Sequence, residues 1–198
     1  MDDAIVIKDA LRYLGAKKED DGATELLQRV LAAYRSVFQP RAVYALVHIA
    51  ERTPVIKLEN CEITLAGESI RRHLDGAEFA LLNAFTLGVG VDKKIKELSL
   101  ARPSESVAFN AIASAYAERI ADEMLMEERA KTEAEGYKTN FRFCPGYGDL
   151  SILTNRDIAR TLSAEKKIGL TVTEDGLLLP RKSIVGVVGV FKKENQTI

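Results

Sequence analysis

The first forty residues carry apolar side chains at the spacing of amphipathic helices. In residues 7–14 the apolar positions fall on one helical face, and Gly15 then supplies a typical helix end. Residues 24–38 repeat the pattern over a longer stretch, which Pro40 closes because proline disfavours helical backbone in the residue before it. The sequence therefore predicts two helices, joined by a charged linker at residues 17–21.

Residues 41–87 change to the composition of strands. Residues 41–50 are rich in Val, Tyr and Ile, and residues 55–58 and 61–65 are shorter segments of the same kind. Residues 78–87 form an apolar run, which is typical of a strand buried at the centre of a sheet. Before that run, residues 67–74 predict one or two helical turns.

A glycine turn and a long alanine-rich stretch follow. Gly88-Val89-Gly90 lacks the third glycine and the Lys-Ser or Lys-Thr of a nucleotide-binding loop, so it predicts a strand-to-helix turn. Residues 92–100 then predict a helix with a basic face. Ser104 is a good N-cap for the longest helix, which we expect to run to about Glu135 and to end at Gly136.

The last third of the chain alternates short helices and strands. Asn155 is expected to cap a helix that runs to residue 162, and a further helical turn precedes Gly169. The Asp175-Gly176 pair predicts a hairpin, and residues 184–191 predict the last strand. Strands thus come in clusters with helices between some of them. We therefore expect a single α+β domain, residues 1–198, with a twisted, largely antiparallel sheet packed with helices.

Composition and charge narrow the class of protein. The chain has 198 residues, 46% of them hydrophobic and 29% charged, which is enough for one sizeable core. A formal net charge of −1 gives no field strong enough to recruit nucleic acid or an anionic membrane surface. The N-terminus is acidic, and no apolar run approaches the roughly 20 residues that span a bilayer. We therefore expect a cytoplasmic protein whose partners are proteins or small molecules.

The cysteines and histidines give little sign of a metal site. Cys61 and Cys144 are the only cysteines of the sequence, and they show no close ligand spacing to each other or to His48 and His73. We therefore expect neither a bound metal nor a disulfide framework.

The clearest binding chemistry surrounds a Pro-Gly turn. Arg142 offers a planar fork of donors suited to a carboxylate or phosphate, and Tyr147 offers a flat face with a hydroxyl at its edge. Pro145 and Gly146 hold the backbone between them in a defined loop. Alternatively, Arg142 pairs with an acid on a neighbouring helix and Tyr147 is half-buried packing; the sequence leaves both interpretations open. Cys144 is interpreted as a small residue of the loop, and the nucleophile interpretation is the weaker one.

Two acids of the long helix are further candidates. Glu118 and Asp122 stand one helical turn apart on the same face, so either could meet the ammonium or the ribose hydroxyls of a ligand. Glu118 is the stronger candidate because Ala115 and Ala121 suggest close packing around it. The alternative is that both acids merely face solvent, as most such pairs do.

Six segments in order carry a family resemblance. They are Leu-Arg-Tyr-Leu-Gly at 11–15, Thr-Leu-Gly-Val-Gly-Val-Asp at 86–92, the small-residue helix at 110–122, Arg-Phe-Cys-Pro-Gly-Tyr-Gly-Asp-Leu at 142–150, Lys-Ile-Gly-Leu-Thr-Val-Thr at 167–173 and Pro-Arg-Lys-Ser at 180–183. The Arg-x-x-Pro-Gly-Tyr element is the most telling. Through most of its length the chain resembles the activation, or reactivation, domain of cobalamin-dependent methionine synthase, in its short stand-alone form.

The resemblance implies a site for S-adenosylmethionine on an α+β domain. Arg142 would take the ligand carboxylate, the main chain around Cys144 and Gly146 would hold the adenine, and Tyr147 would border the ligand. An acid of the long helix also contributes in the family. Glu118 is the best match, and a shift of the alignment by one helical turn would put Ser114 there instead. The family also uses an acid near its N-terminal end, which the sequence motifs do not assign to a residue here.

The resemblance also implies a function and its partners. Such a domain repairs cob(II)alamin by presenting the methyl group of S-adenosylmethionine while a flavodoxin-like donor supplies an electron. The chain lacks an Asp-x-His-x-x-Gly cobalamin-ligand motif, so the cobalamin is expected on a partner, the methionine synthase core or a related corrinoid protein. No protein nucleophile is expected. The alternatives are a protein-interaction or regulatory module without ligand, or a corrinoid-protein activator that supports reduction without methylation.

Overall fold

Helices and strands alternate irregularly along the chain in the computed structural model, which describes residues 2–17 and 20–193. The helices are α1 (Asp3–Leu14), α2 (Asp21–Tyr34), α3 (Glu68–His73), α4 (Val89–Ala101), α5 (Pro103–Ala134), α6 (Thr154–Thr161) and α7 (Ala164–Ile168). The strands are β1 (Arg41–Glu51), β2 (Ile56–Leu58), β3 (Thr64–Leu65), β4 (Phe79–Thr86), β5 (Tyr137–Thr139), β6 (Thr171–Val172), β7 (Leu178–Leu179) and β8 (Ser183–Lys192). A short 3₁₀ turn, Arg35–Val37, follows α2.

A six-stranded sheet in the order β3-β2-β1-β4-β8-β5 forms the middle layer, and all of its strand pairs are antiparallel. Strand β4 lies between β1 and β8, and nearly all of its residues are buried, which explains the apolar run in the sequence. The prediction of a central strand there is confirmed. Strands β6 and β7 form the predicted hairpin as a separate two-stranded sheet.

Helices cover both faces of the sheet. One core lies between the sheet and α1, α2, α4 and α5, and it includes Phe85 of β4. The second core joins Ala80, Leu82 and Ala84 of the same strand to α3, α6 and α7. Alternate residues of β4 therefore serve opposite faces, as strand geometry requires. The predicted single α+β domain with a largely antiparallel sheet is confirmed.

Two predicted helix starts are wrong. Helix α5 begins at Pro103, before Ser104, and its N-cap residue Arg102 makes no side-chain cap; proline suits this first position because it lacks the N–H that would go unpaired there. Helix α6 begins at Thr154, so Asn155 lies inside it. The Asn155 amide instead donates to the carbonyl of Gly176 at 2.9 Å, a contact across 21 residues of sequence.

Other boundaries differ by a few residues. Helix α4 starts at Val89, directly after Gly88, and α2 starts at Asp21, within the predicted linker, whose residues 18 and 19 lie outside the described part. Of the predicted strand 61–65 only β3 forms. Strand β5 was not predicted. Across residues 2–17 and 20–193, no helix has the length and apolar character needed to cross a membrane.

Candidate functional site

The loop that follows β5 is built by its own backbone. Phe143 and Val187 exchange two hydrogen bonds of 2.8 Å, which fixes the start of the loop against β8. The chain then turns, with the Tyr147 N–H donating to the Cys144 carbonyl at 3.1 Å. Gly146 has a φ of 94° at the third position of this turn and follows Pro145, as in a type II turn. The predicted Pro-Gly turn is therefore present.

The far end of the loop is held by a helix cap. The Asp149 carboxylate accepts the backbone N–H groups of Glu68 at 2.6 Å and Ser69 at 2.9 Å, at the start of α3. These amide donors lower the pKa of Asp149 below its usual value. The loop is thus anchored at both ends by hydrogen bonds, to β8 and to α3.

Arg142 lies between the sheet and α5 because β8 provides a gap for it. Its side chain is only 9% exposed. A Cβ atom on Gly186 would lie 2.5 Å from the Arg142 Cγ, so only glycine leaves room for the aliphatic stem. The sequence interpretation missed Gly186. The available signal was a glycine inside a strand pattern, which indicates close approach of another group.

The guanidinium group of Arg142 reaches both candidate acids of α5. Its Nη2 donates to the Glu118 Oε2 at 2.8 Å, and its Nη1 lies 3.0 Å from the Asp122 Oδ1. Ser114, one turn earlier, instead accepts a hydrogen bond of 2.7 Å from the Lys182 Nζ. The structure therefore brings Glu118 and Asp122, and not Ser114, to Arg142. It also contains the ion pairing that the sequence left open as an alternative.

The other loop residues differ in their exposure. Tyr147 is 57% exposed, and its ring lies edge-on to that of Phe143 with the ring centroids 6.2 Å apart. Cys144 is partly buried, and burial raises the pKa of its thiol. A thiol that stays protonated is a poor nucleophile, in agreement with its interpretation as a small loop residue.

Two clefts open beside the Arg142 cluster, which we define as Arg142, Glu118 and Asp122. The cleft of about 420 Å³ is lined by Asp122 and Arg142 together with Phe141, Cys144 and Tyr147 of the loop.

The second cleft, of about 400 Å³, is lined by Glu118 and by residues of α1, among them Asp9 and Tyr13. The Asp9 carboxylate is bound there by the Nε of Arg119 at 2.7 Å. Tyr13 lay in a segment that carries the family resemblance, yet neither it nor Asp9 was selected as a site residue. Only the packing of α1 on α5 reveals this side of the site.

The chemistry of the two clefts suits a small zwitterionic ligand. The Arg142 cluster provides a cation for a carboxylate and two carboxylates for an ammonium group, while Tyr147 and Tyr13 offer exposed aromatic faces. Within the described residues, no group of three His, Cys, Asp or Glu side chains is arranged to hold a metal ion.

Comparison with known proteins gives a structural match. No protein-family model matches the chain, and no curated protein sequence matches it. Thirteen solved protein chains match its fold. One of them is the crystal structure of the MetH reactivation domain bound to AdoHcy, with a TM-score of 0.65 and 18% sequence identity over 94% of this chain and 70% of that chain. At this identity the match shows that the two share a fold.

Proposed function

We propose that residues 1–198 act as one S-adenosylmethionine-binding reactivation module for a cobalamin-dependent methionine synthase system. The observation that carries the proposal is the Arg142 cluster beside the Pro-Gly-Tyr loop, on a fold similar to that of the MetH reactivation domain bound to AdoHcy. The resemblance through six sequence segments supports the same conclusion. The proposal places the module in the cytoplasm.

Each site residue then has a role. Arg142 binds the carboxylate of the ligand, since its fork of donors suits that group. Glu118 accepts a hydrogen bond from the ammonium group of the ligand, and the loop backbone around Cys144 and Gly146 binds the adenine. Tyr147 borders the ligand from its exposed position. These roles require no movement of the loop ends, which β8 and α3 already hold.

The chemistry proposed for this module is positional. One electron from a flavodoxin-like donor would reduce cob(II)alamin on the partner protein to cob(I)alamin. The reduced cobalt would take the methyl group from the sulfonium of S-adenosylmethionine, and breakage of that S–CH3 bond would leave S-adenosylhomocysteine. The residues of this chain bind and orient the sulfonium ligand and exclude water, and none of them acts as a nucleophile. The partner is the corrinoid-carrying methionine synthase core or a related corrinoid protein.

Titration calorimetry with S-adenosylmethionine tests the binding step. Arg142→Ala removes the carboxylate partner, and Arg142→Lys retains the charge without the planar fork. We expect Arg142→Ala to weaken binding at least about 30-fold, with a smaller loss in Arg142→Lys. Arg160→Ala, on the exposed face of α6, is the matched control and should bind as the unmodified chain does. Circular dichroism checks that each variant is folded.

A second test addresses the partner. Formation of methylcobalamin on the corrinoid protein, followed by its absorption spectrum, should require this chain, the electron donor and S-adenosylmethionine. Formation without S-adenosylmethionine would contradict the methyl-transfer step and favour an activator that supports reduction alone.

One observation favours a second candidate function. The charge of Arg142 is already matched by two carboxylates, and Met126 and Phe141 expose apolar surface near the cluster at 63% and 67%. A protein-interaction module that has the fold without the ligand would have these features. It predicts binding of the corrinoid protein that is indifferent to S-adenosylmethionine, whereas the reactivation module predicts a complex that the ligand strengthens.

A further inference from the structure

Both terminal nitrogens of the Arg142 guanidinium group already contact a carboxylate. Its Nη2 is bound by Glu118 and its Nη1 by Asp122, at 2.8 and 3.0 Å. The aliphatic stem packs over Gly186, which places the guanidinium group between the two acids. A ligand carboxylate that approaches the Nη1 from the cleft beside the loop therefore meets a position that Asp122 already occupies.

The two acids are not equally easy to displace. The Asp122 side chain is 65% exposed and the Glu118 side chain 49%. Asp122 also lines the cleft beside the loop, together with Tyr147 and Cys144, whereas Glu118 lines the cleft beside α1. Because water already solvates most of the Asp122 side chain, its release disrupts less packing than the release of Glu118.

We infer that Asp122 is an internal competitor for Arg142, which a ligand carboxylate displaces while Glu118 keeps its bond. This inference rests on the proposed function, in which the ligand carries a carboxylate. Binding is then an exchange of one carboxylate for another at the Arg142 Nη1. Arg142 stays paired in both states, and Asp122 lowers the affinity of the site for amino-acid ligands.

The exchange makes a specific prediction about ligand chemistry. A nucleoside thioether without a carboxylate gains nothing at Arg142, so Asp122 stays in place and does not affect its binding. S-adenosylhomocysteine carries the carboxylate and has no net charge, so removal of one protein charge changes its long-range attraction little. 5′-Methylthioadenosine has the same nucleoside thioether without the amino-acid end. These two ligands isolate the competition.

Titration calorimetry of Asp122→Asn with both ligands is the test. We expect S-adenosylhomocysteine to bind about 5- to 10-fold more tightly than to the unmodified chain, with no change for 5′-methylthioadenosine. Glu127→Gln, five residues further along α5 and exposed, removes the same charge from the same helix and should alter neither affinity. Weaker or unchanged binding of S-adenosylhomocysteine to Asp122→Asn would overturn the inference.

A second readout separates this inference from the proposed function. The NMR signal of the Arg142 guanidinium group is titrated with acetate, a probe that needs no nucleoside site. Asp122→Asn should respond at a lower acetate concentration than the unmodified chain and Glu127→Gln. Equal responses would overturn the inference. Failure of both variants and the unmodified chain to bind S-adenosylhomocysteine, with the acetate difference intact, would instead count against the proposed function alone.

Discussion

Two basic side chains reach the same face of α5 and meet different surroundings. Arg142 lies between the carboxylates of Glu118 and Asp122. Lys182 is half-buried and donates to the hydroxyl of Ser114, one helical turn earlier. In the described residues, no carboxylate lies within ion-pair distance of Lys182. Burial lowers the pKa of Lys182 and the nearby charge of Arg181 lowers it further, while the Asp92 carboxylate opposes both effects.

The same face of α5 thus contacts two cations whose charges are compensated to different extents. The charge of Arg142 is fully compensated, so the group can remain largely buried and still exchange one partner for another. The charge of Lys182 is supported by a neutral oxygen, which compensates a partly buried ammonium group less well. Changes around Arg142 should therefore alter ligand binding, and changes around Lys182 should alter stability with little effect on binding.

The largest expected effect on stability comes from filling the gap under Arg142. In Gly186→Ala the new methyl group would overlap the Arg142 stem and move the guanidinium group away from Glu118 and Asp122. We expect the free energy of unfolding to fall by about 1–3 kcal/mol. Under the proposed function, binding of S-adenosylmethionine should weaken about 10-fold, since a charge-assisted contact is lost. Urea denaturation and titration calorimetry measure the two effects.

Gly22→Ala is the control for a glycine substitution. Gly22 lies in α2 with ordinary helical backbone, and an added Cβ would come no nearer than 3.7 Å to another group. This variant should keep its ligand affinity and gain up to about 1 kcal/mol of stability. An equal loss of binding in both variants would show that the position of Arg142 does not depend on the gap at Gly186.

A smaller effect is expected from Ser114→Ala, which removes the hydroxyl group that accepts a hydrogen bond from Lys182. The lost hydrogen bond to a charged donor should destabilise the protein by about 1 kcal/mol, partly offset by the higher helix propensity of alanine. Ligand binding should stay within about twofold, because Ser114 does not contact Arg142. A loss of binding comparable to that of Arg142→Ala would indicate that Ser114, and not Glu118, is the residue of α5 that contacts the ligand.

The smallest effect should come from Lys182→Met, and its sign depends on pH. The folded state lowers the pKa of Lys182 below 10.5, so between the lowered pKa and 10.5 the unfolded chain binds more protons than the folded one. The unmodified protein therefore gains stability as pH rises through that window, and the variant should lack this gain. At pH 7 the variant should be more stable by less than about 1 kcal/mol, because the ammonium group is still partly solvated.

Denaturant unfolding of both proteins at pH 7 and at pH 10 checks this prediction. If the free energy of unfolding of Lys182→Met rises between pH 7 and pH 10 as much as that of the unmodified protein, a group other than Lys182 causes the rise. In the double variant Ser114→Ala with Lys182→Met, the cost of Ser114→Ala should disappear, because the charged donor is no longer present.

The elements of the fold followed largely from local sequence. Residues 78–87 predicted the central strand because a strand buried on both faces needs an apolar side chain at nearly every position. Helix starts were less predictable. Ser104 and Asn155 both have side chains that suit an N-cap. However, α5 already begins at Pro103, and the Asn155 amide donates to the carbonyl of Gly176 instead of capping α6. Competition of this kind depends on neighbours that are distant in sequence.

The sequence by itself determined the kinds of group in the candidate site: the fork of Arg142, the Pro-Gly turn, the aromatic ring of Tyr147 and the acids of α5. The tertiary structure decided which of them meet. The gap at Gly186 places Arg142 beside Glu118 and Asp122, and the packing of α1 adds Tyr13 and a second cleft. Residue chemistry is local, whereas contact between side chains is set by strand register and helix packing, which join segments far apart along the chain.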